Sequence, residues 1–180
     1  NDLWIATDGS IERYDDKSGK FVHYSIMDST YTHNSNWAYY ISEDNDNNLW
    51  ISSCLGGIFV VNKNKLRKCS SGICIADKNY TTANGLKSMF VKQTVTDKNG
   101  NAWVVMYNTK EVQKIDSESG KIYNYSVCTK NDEYPEFLIC DSKGMIWVST
   151  NKSISRIDPD SGIISKTGTE WKENNVLHLA

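Results

Sequence analysis

The stretch Asp141-Ser142-Lys143-Gly144-Met145-Ile146-Trp147-Val148 places a tight acidic turn directly before a tryptophan with apolar neighbours. The same tryptophan setting recurs three more times, as Leu3-Trp4-Ile5, Leu49-Trp50-Ile51 and Ala102-Trp103-Val104. Successive tryptophans are 46, 53 and 44 residues apart, which indicates an internal repeat. Most of the conspicuous aromatic, acidic and glycine residues therefore belong to a repeated structural unit, and candidates for function lie outside the shared positions.

Each repeat contains short apolar stretches separated by turn signals. Phe137-Leu138-Ile139-Cys140 precedes the acidic turn, and Ile154-Ser155-Arg156-Ile157-Asp158 follows the tryptophan. In three repeats a second turn, marked by Gly19, Gly120 and Gly162, leads into a last short strand. Four short strands with a period of two, at this repeat length, predict the blade of a β-propeller. No helical periodicity of any length is apparent.

We therefore predict an all-β chain, a β-propeller of four-stranded antiparallel blades with about four blades present. The repeats run approximately over residues 1–24, 37–69, 89–127 and 136–166, and residues 175–180 are expected to form the first strand of a further blade. An insertion from Cys69 to Lys87 explains the longest step between tryptophans. Since the first repeat opens on its second strand, we expect a single partial propeller, cut from a larger ring. The alternative is that residues 175–180 complete the first blade and close a ring of four.

The four tryptophans have a structural interpretation. Because Trp4, Trp50, Trp103 and Trp147 recur in register, we expect them to fill the space between neighbouring sheets rather than to bind a ligand.

Composition excludes several classes of function. The chain has 20 basic and 22 acidic residues and a formal net charge of -2, so no basic face is expected for nucleic acid or for anionic membranes. No apolar run approaches the length of a membrane-spanning helix.

The five cysteines predict no metal site, because paired Cys-x2-Cys units and nearby histidines are missing from the sequence. No cofactor is expected either. Cys69 and Cys74 are spaced to close a small disulfide loop if the compartment is oxidising. Cys128 and Cys140 are expected to be small buried hydrophobic residues at or near strand positions.

Three short patterns recur together in the repeats: Asp-x-x-Gly-x-x-Trp-[Ile/Val], Ile-x-Arg-[Tyr/Ile]-Asp and Ser-Gly-Lys-[Phe/Ile]-x-x-Tyr. Together they resemble the two-component regulator propeller repeat, most closely over residues 1–24 and nearly as closely from Gly144 to Asp158. The resemblance covers almost the whole chain except Cys69 to Lys87 and the last dozen residues. The second and third copies depart from the pattern at Cys54-Leu55-Gly56-Gly57 and Met106-Tyr107-Asn108-Thr109.

The resemblance implies a fragment of a seven-bladed propeller in the periplasmic sensor domain of a bacterial hybrid two-component system, a histidine kinase and response regulator in one inner-membrane protein. It implies an oligosaccharide ligand, control of polysaccharide-use genes, and remaining blades and a receptor homodimer as partners. It implies no catalytic residue in this segment.

A ligand site is expected among the loops at one end of the blades, where exposed aromatics stand beside amides and carboxylates. Sugars offer one apolar face and many hydroxyls, which suits such side chains. The candidates for ligand binding are Tyr31, His33, Trp37, Tyr80, Tyr107, Asn108, Tyr134, Glu136 and Trp171. The competing interpretation is that these aromatics anchor the loops to the sheets.

Specific residues bear on other possible functions. Asp44-x-Asp46-x-Asn48 matches the start of a calcium loop, but Leu55 stands where a bidentate Glu is required. A propeller glycosidase or lyase would need two inward acids, for which only Glu133 and Glu136 are candidates, and Arg13, Arg67 and Arg156 are the only arginines for a sialidase-like clamp. A generic propeller scaffold for protein interactions is the main alternative to a sensor.

Overall fold

The computed structural model describes residues 2–8, 10–27, 37–69 and 72–167. The strands within these ranges form four antiparallel sheets, each built from consecutive strands. The chain divides into two compact units, Asn1–Val91 (unit 1) and Lys92–Ala180 (unit 2), with two sheets each. The prediction of an all-β chain with antiparallel, mostly four-stranded blades is confirmed.

Unit 1 holds a three-stranded and a four-stranded sheet. The first contains β1 (Trp4–Thr7), β2 (Ser10–Asp15) and β3 (Lys20–Tyr24), and the second contains β4 (Ala38–Glu43), β5 (Asn48–Ser53), β6 (Ile58–Asn62) and β7 (Lys78–Tyr80). In both sheets the strands lie in chain order. Residues 175–180, predicted to be the first strand of a further blade, lie outside the described residues.

The chain after β6 differs from the sequence prediction. A short helix, α1 (Lys63–Lys68), follows β6, although no helical periodicity is apparent in the sequence there. The Asn62 side chain accepts a hydrogen bond from the Asn64 backbone and caps the helix, and Leu66 is fully buried. Six residues are too few to show a helical period in sequence.

The insertion that follows α1 is part of the second sheet. Its first cysteine, Cys69, forms a disulfide with Cys74, which agrees with the predicted pairing. Farther along, β7 pairs with β6, with Tyr80 opposite Ile58. The segment that interrupted the sequence repeat therefore supplies the fourth strand, followed by a 3₁₀ turn at Thr82–Asn84.

Unit 2 holds two complete four-stranded sheets. The first contains β8 (Val91–Thr96), β9 (Ala102–Met106), β10 (Glu111–Ile115) and β11 (Ile122–Ser126), and the second contains β12 (Pro135–Cys140), β13 (Ile146–Thr150), β14 (Ile154–Ile157) and β15 (Ile164–Lys166). The apolar faces of the two sheets share one core, which includes Trp103, Val105, Leu138 and Val148. Alternating side chains along β9 and β13 supply this core because successive residues of a strand point to opposite faces.

The repeated tryptophan is tied to the acidic turn that precedes it. The indole Nε1 of Trp103 donates to the Asp97 carboxylate at 2.9 Å, and Trp103 is fully buried. Two other repeats show the same bond, from Trp50 to Asp44 at 2.9 Å and from Trp147 to Asp141 at 2.8 Å. Because the acceptor lies six residues before the tryptophan in these three repeats, the acidic turn and the Trp strand form one structural element there.

The first repeat differs. The Trp4 Nε1 is buried and has no hydrogen-bond partner among the residues that the structure describes. The Trp4 ring packs against Tyr24, with centroids 5.8 Å apart.

The repeat glycines stand in turns that require them. Gly19, Gly120 and Gly162 have positive φ angles of 65°, 70° and 73°, which favour glycine because it has no Cβ.

Cys128 and Cys140 are only half-buried, less than expected, and burial raises the pKa of both thiols, that of Cys128 to about 12. Cys54 is the free cysteine that is buried.

Candidate functional site

A cavity of about 630 Å³ lies at one end of the sheets of unit 2. Its walls come from the starts of β8 and β12, the turn between β9 and β10, and the loop before β12. The residues that line it are Lys92, Met106, Tyr107, Asn108, Thr109, Lys110, Asn131, Glu133, Tyr134 and Glu136. These loops form one end because β8 and β12 begin where β9 and β11 end in the antiparallel pairing.

Lys92 is the centre of the polar contacts in this cavity. Its ammonium lies 2.5 Å from Glu136 Oε2, and both side chains are largely buried, with 12% and 14% of their surface exposed. The same ammonium lies over the rings of Tyr107 and Tyr134, 4.5 Å and 5.6 Å from their centroids. A cation over an aromatic face is attracted by the ring quadrupole, so Lys92 holds one carboxylate and two rings together.

The two tyrosines remain accessible from the cavity. Tyr107 is 42% exposed and Tyr134 is 41% exposed. Tyr107 precedes Asn108, whose positive φ of 61° allows a sharp turn after β9. Tyr134 is fixed through its backbone, which donates to Asn151 Oδ1 at 2.9 Å and accepts from the Asn151 amide at 3.1 Å. Both rings are therefore positioned by the turns that carry them and remain partly exposed to the cavity.

Glu133 anchors the loop that carries Tyr134. It is 2% exposed, and its carboxylate accepts hydrogen bonds from Thr150, Ser153 and the backbone amide of Thr129 at 2.9, 2.6 and 2.7 Å. Burial alone would raise the pKa of Glu133, but the hydrogen bonds from Ser153, Thr129 and Thr150 outweigh it and lower the pKa to about 2. A carboxylate so fully paired stays ionised, so it is poorly suited to act as a general acid.

The arginines do not assemble a carboxylate clamp in either unit. In unit 1, Arg13 and Arg67 both pair with Asp2, at 3.9 and 2.5 Å. In unit 2, the Arg156 guanidinium lies 6.0 Å from the Trp147 ring centroid. Arg13 lies on β2, Arg67 on α1 and Arg156 on β14, and each of these contacts is made within the protein.

The structure brings four of the predicted ligand-binding residues together: Tyr107, Asn108, Tyr134 and Glu136. Trp37 lies in unit 1, beside Thr7, Asp8 and Tyr39 in a smaller cavity of about 370 Å³. Tyr80, also in unit 1, stacks on Trp50 with centroids 5.9 Å apart, which is a packing contact. Tyr31, His33 and Trp171 lie outside the described residues.

Sequence reasoning missed Lys92, the residue that joins the site. A signal was available in the repeat register, since Lys92 lies 11 residues before Trp103 and Glu136 lies 11 residues before Trp147. A lysine and a glutamate at the same position of neighbouring repeats are placed to pair. The position two residues earlier holds Phe90 and Tyr134, both exposed aromatics.

Two further properties of the described residues concern metals and membranes. Within the described ranges, no cluster of three or more His, Cys, Asp or Glu side chains is arranged to hold a metal ion. In the same part of the chain, none of the helices combines the length and the apolar character needed to cross a membrane. The cavity offers hydroxyl, amide, ammonium and carboxylate groups beside two aromatic rings, which is a binding chemistry.

Comparisons with known proteins agree with the fold and the repeat. Residues 32–54 match the family described as two component regulator propeller. The extracellular domain of BT4673 from B. thetaiotaomicron, described as a hybrid two component system, is 43% identical over 96% of this chain, with a TM-score of 0.85. This chain spans 23% of the length of that structure. No protein of curated function matches the sequence.

More distant structures share the fold alone. The extracellular domain of BT3049 from B. thetaiotaomicron is 20% identical over 97% of this chain and 20% of its own length, with a TM-score of 0.64. Virginiamycin B lyase from Staphylococcus aureus is 22% identical over 92% of this chain and 51% of its own, with a TM-score of 0.69. The propeller fold class and the resemblance to two-component regulator repeats are therefore confirmed.

Proposed function

We propose, from the premise that this chain carries two-component regulator propeller repeats, that it is part of an extracytoplasmic sensor that recognises an oligosaccharide. The full receptor passes the signal to a histidine kinase that controls polysaccharide-use genes. The main support for a saccharide ligand is the unit 2 cavity, where Tyr107 and Tyr134 are exposed around the Lys92–Glu136 pair.

The chemistry of this cavity suits a sugar ring. A pyranose presents C–H groups on one face, which pack on a tyrosine ring, and hydroxyls on its edge, which need hydrogen-bond partners. Asn108, Thr109 and Asn131 supply neutral polar groups around the two rings. A few polar groups in an aromatic cavity of several hundred cubic ångströms are typical of a small-molecule site.

A location outside the cytoplasm is supported by the Cys69–Cys74 disulfide, because such bonds persist in oxidising surroundings. We place the protein in the periplasm, as the ectodomain of an inner-membrane receptor dimer. Binding on one side of a membrane reaches a kinase on the other only through a change in subunit or domain geometry.

An enzyme of glycan cleavage is less well supported. Glu133 is committed to hydrogen bonds that hold a loop, and Glu136 is paired with Lys92. The similarity to virginiamycin B lyase, at 22% identity, concerns the fold alone and does not indicate that this chain catalyses a similar reaction.

The test is calorimetric titration of the intact ectodomain with plant and host glycan tetrasaccharides. We expect at least one tetrasaccharide to bind, and Tyr107→Ala to weaken that binding by about fivefold or more, since stacking on one ring contributes on the order of 1 kcal/mol or more. Tyr123→Ala is the matched control, because Tyr123 is equally exposed but lies on the outer strand β11. No binding across the panel would refute the sensor proposal and favour a protein-interaction scaffold.

A further inference from the structure

We infer that the unit 2 cavity selects uncharged saccharides over acidic ones, and that the Lys92–Glu136 pair is the determinant of this selectivity. The inference rests on the proposed function and narrows its ligand class. It follows from how the charged groups of the cavity are already paired.

The charges that line the cavity are balanced within the protein. Lys92 is paired with Glu136 at 2.5 Å. Glu133 accepts five hydroxyl or amide hydrogen bonds and lies 3.6 Å from the Lys166 ammonium. Lys110 is exposed to solvent, where salt screens its charge. The buried part of the site therefore has no uncommitted positive charge with which to neutralise an acidic ligand.

An acidic sugar would be penalised at the centre of this site. A carboxylate that approaches Lys92 must also approach Glu136, because their side-chain atoms are in contact. Two carboxylates close together disfavour one another, and the ligand would lose its hydration without gaining a free cation. Competition for Lys92 would also pull its ammonium from the Tyr107 and Tyr134 rings.

A neutral sugar gains from the same pair. A lysine ammonium has three N–H donors, and a carboxylate accepts more hydrogen bonds than one partner supplies. One sugar hydroxyl can therefore accept from Lys92 while its neighbour donates to Glu136, with the ion pair intact. Hydrogen bonds to charged groups are among the stronger ones available to a hydroxyl. Meanwhile the exposed sides of the two tyrosines remain available for stacking.

The selectivity is tested with chemically matched saccharides and the intact ectodomain. Three pairs share a skeleton and differ in charge: tetragalacturonate and its methyl ester, cellouronate tetramer and cellotetraose, and xylotetraose with and without a glucuronate branch. We expect the uncharged member of every pair that binds to bind at least about tenfold more tightly, because an uncompensated charge costs roughly that much. The reverse order, or equal affinity within each binding pair, would overturn the inference.

Glu136→Gln provides the sharper test, because it leaves the Lys92 ammonium without its carboxylate. We expect this variant to gain affinity for the acidic members relative to the uncharged ones by about tenfold, and the gain to shrink at high salt. Asp160→Asn is the matched control: it removes a carboxylate paired with Lys98 at an exposed site of the same unit, and the preference should stay unchanged.

The outcomes separate the inference from the proposed function. If no saccharide binds, the proposed function fails and this inference falls with it. If saccharides bind but Glu136→Gln leaves the preference unchanged while unfolding as the wild type does, the pair does not set selectivity. Lys92→Met supplies an independent check, since it should weaken binding of the uncharged members and leave acidic members no better bound.

Discussion

The two ends of the sheets in unit 2 differ: one end has the same turn in both sheets, and the other end does not. At one end, which we call the turn end, the acidic turns at residues 97–101 and 141–145 repeat the same hydrogen bond, donated by a tryptophan indole to an aspartate carboxylate. At the other, which we call the loop end, the turn after β9 carries Tyr107 and Asn108, whereas the turn after β13 carries Asn151 and Lys152. The turn end is the same in both sheets of unit 2, whereas the loop end differs between them, and the proposed ligand site lies at the loop end.

The largest effect should come from the buried tryptophan of the turn end. Trp103→Ala removes a fully buried side chain from the unit 2 core and leaves a cavity, so the free energy of unfolding should fall by about 3–5 kcal/mol. Urea unfolding followed by circular dichroism measures this change. Tyr123→Ala, on an exposed outer-strand position, is the control and should change stability by less than about 0.5 kcal/mol. Equal losses for the two variants would contradict the assignment of Trp103 to the core.

The turn aspartate should have the next largest effect. The buried Asp97 carboxylate accepts from the amides of Asn99 and Asn101 and from the Trp103 indole, at 2.9, 3.0 and 2.9 Å. Asp97→Ala leaves these donors without their acceptor, and should lower the free energy of unfolding by about 2 kcal/mol. Asp97→Asn keeps one carbonyl acceptor and should recover part of the loss in the same urea experiment. No difference between the Asn and Ala variants would show that the turn does not depend on these bonds.

The turn end could be predicted from sequence because its signal is repeated, as the spacing of the Asp141 turn and Trp147 shows. The loop end could be predicted only in part. Tyr134 stands out as an exposed aromatic in a loop, but Lys92 lies inside a strand, and its partner Glu136 is 44 residues away. Their pairing depends on two sheets being adjacent, which the sequence around either residue does not show and only a comparison of the two repeats in register could suggest. The helix at Lys63–Lys68 was missed for a different reason, because its stability comes from one buried leucine and a cap.

Substitution of Glu133 tests whether a residue of the loop end also stabilises the fold. Its folded-state pKa of about 2 lies below the ordinary value of 4.5, so its ionised form stabilises the fold. That stabilisation is fully present above about pH 4.5 and is lost as the pH falls towards 2. Glu133→Gln should therefore lower the free energy of unfolding by about 2 kcal/mol at pH 7, where charge-assisted hydrogen bonds are lost, and by progressively less below pH 4.5.

Urea unfolding of the wild type and Glu133→Gln between pH 2.5 and 7 measures this difference. Convergence of the two stabilities at low pH is expected. A difference that stays constant with pH would mean that the shape of the side chain, rather than its charge, holds the loop.

Substitution of Tyr134 should have the smallest effect on stability. It therefore gives the most direct test of whether the loop end binds a ligand while the turn end stabilises the fold. Tyr134→Ala removes an exposed ring, while the loop itself remains held by the backbone bonds to Asn151 and by Glu133. We expect the free energy of unfolding to change by less than about 0.5 kcal/mol, and saccharide affinity in the intact ectodomain to fall by about tenfold. Trp103→Ala should behave in the opposite way, with a large loss of stability. If Tyr134→Ala instead lowers stability as much as Asp97→Ala does, then the aromatic residues of the loop end serve to anchor loops, and the division between a structural end and a binding end is wrong.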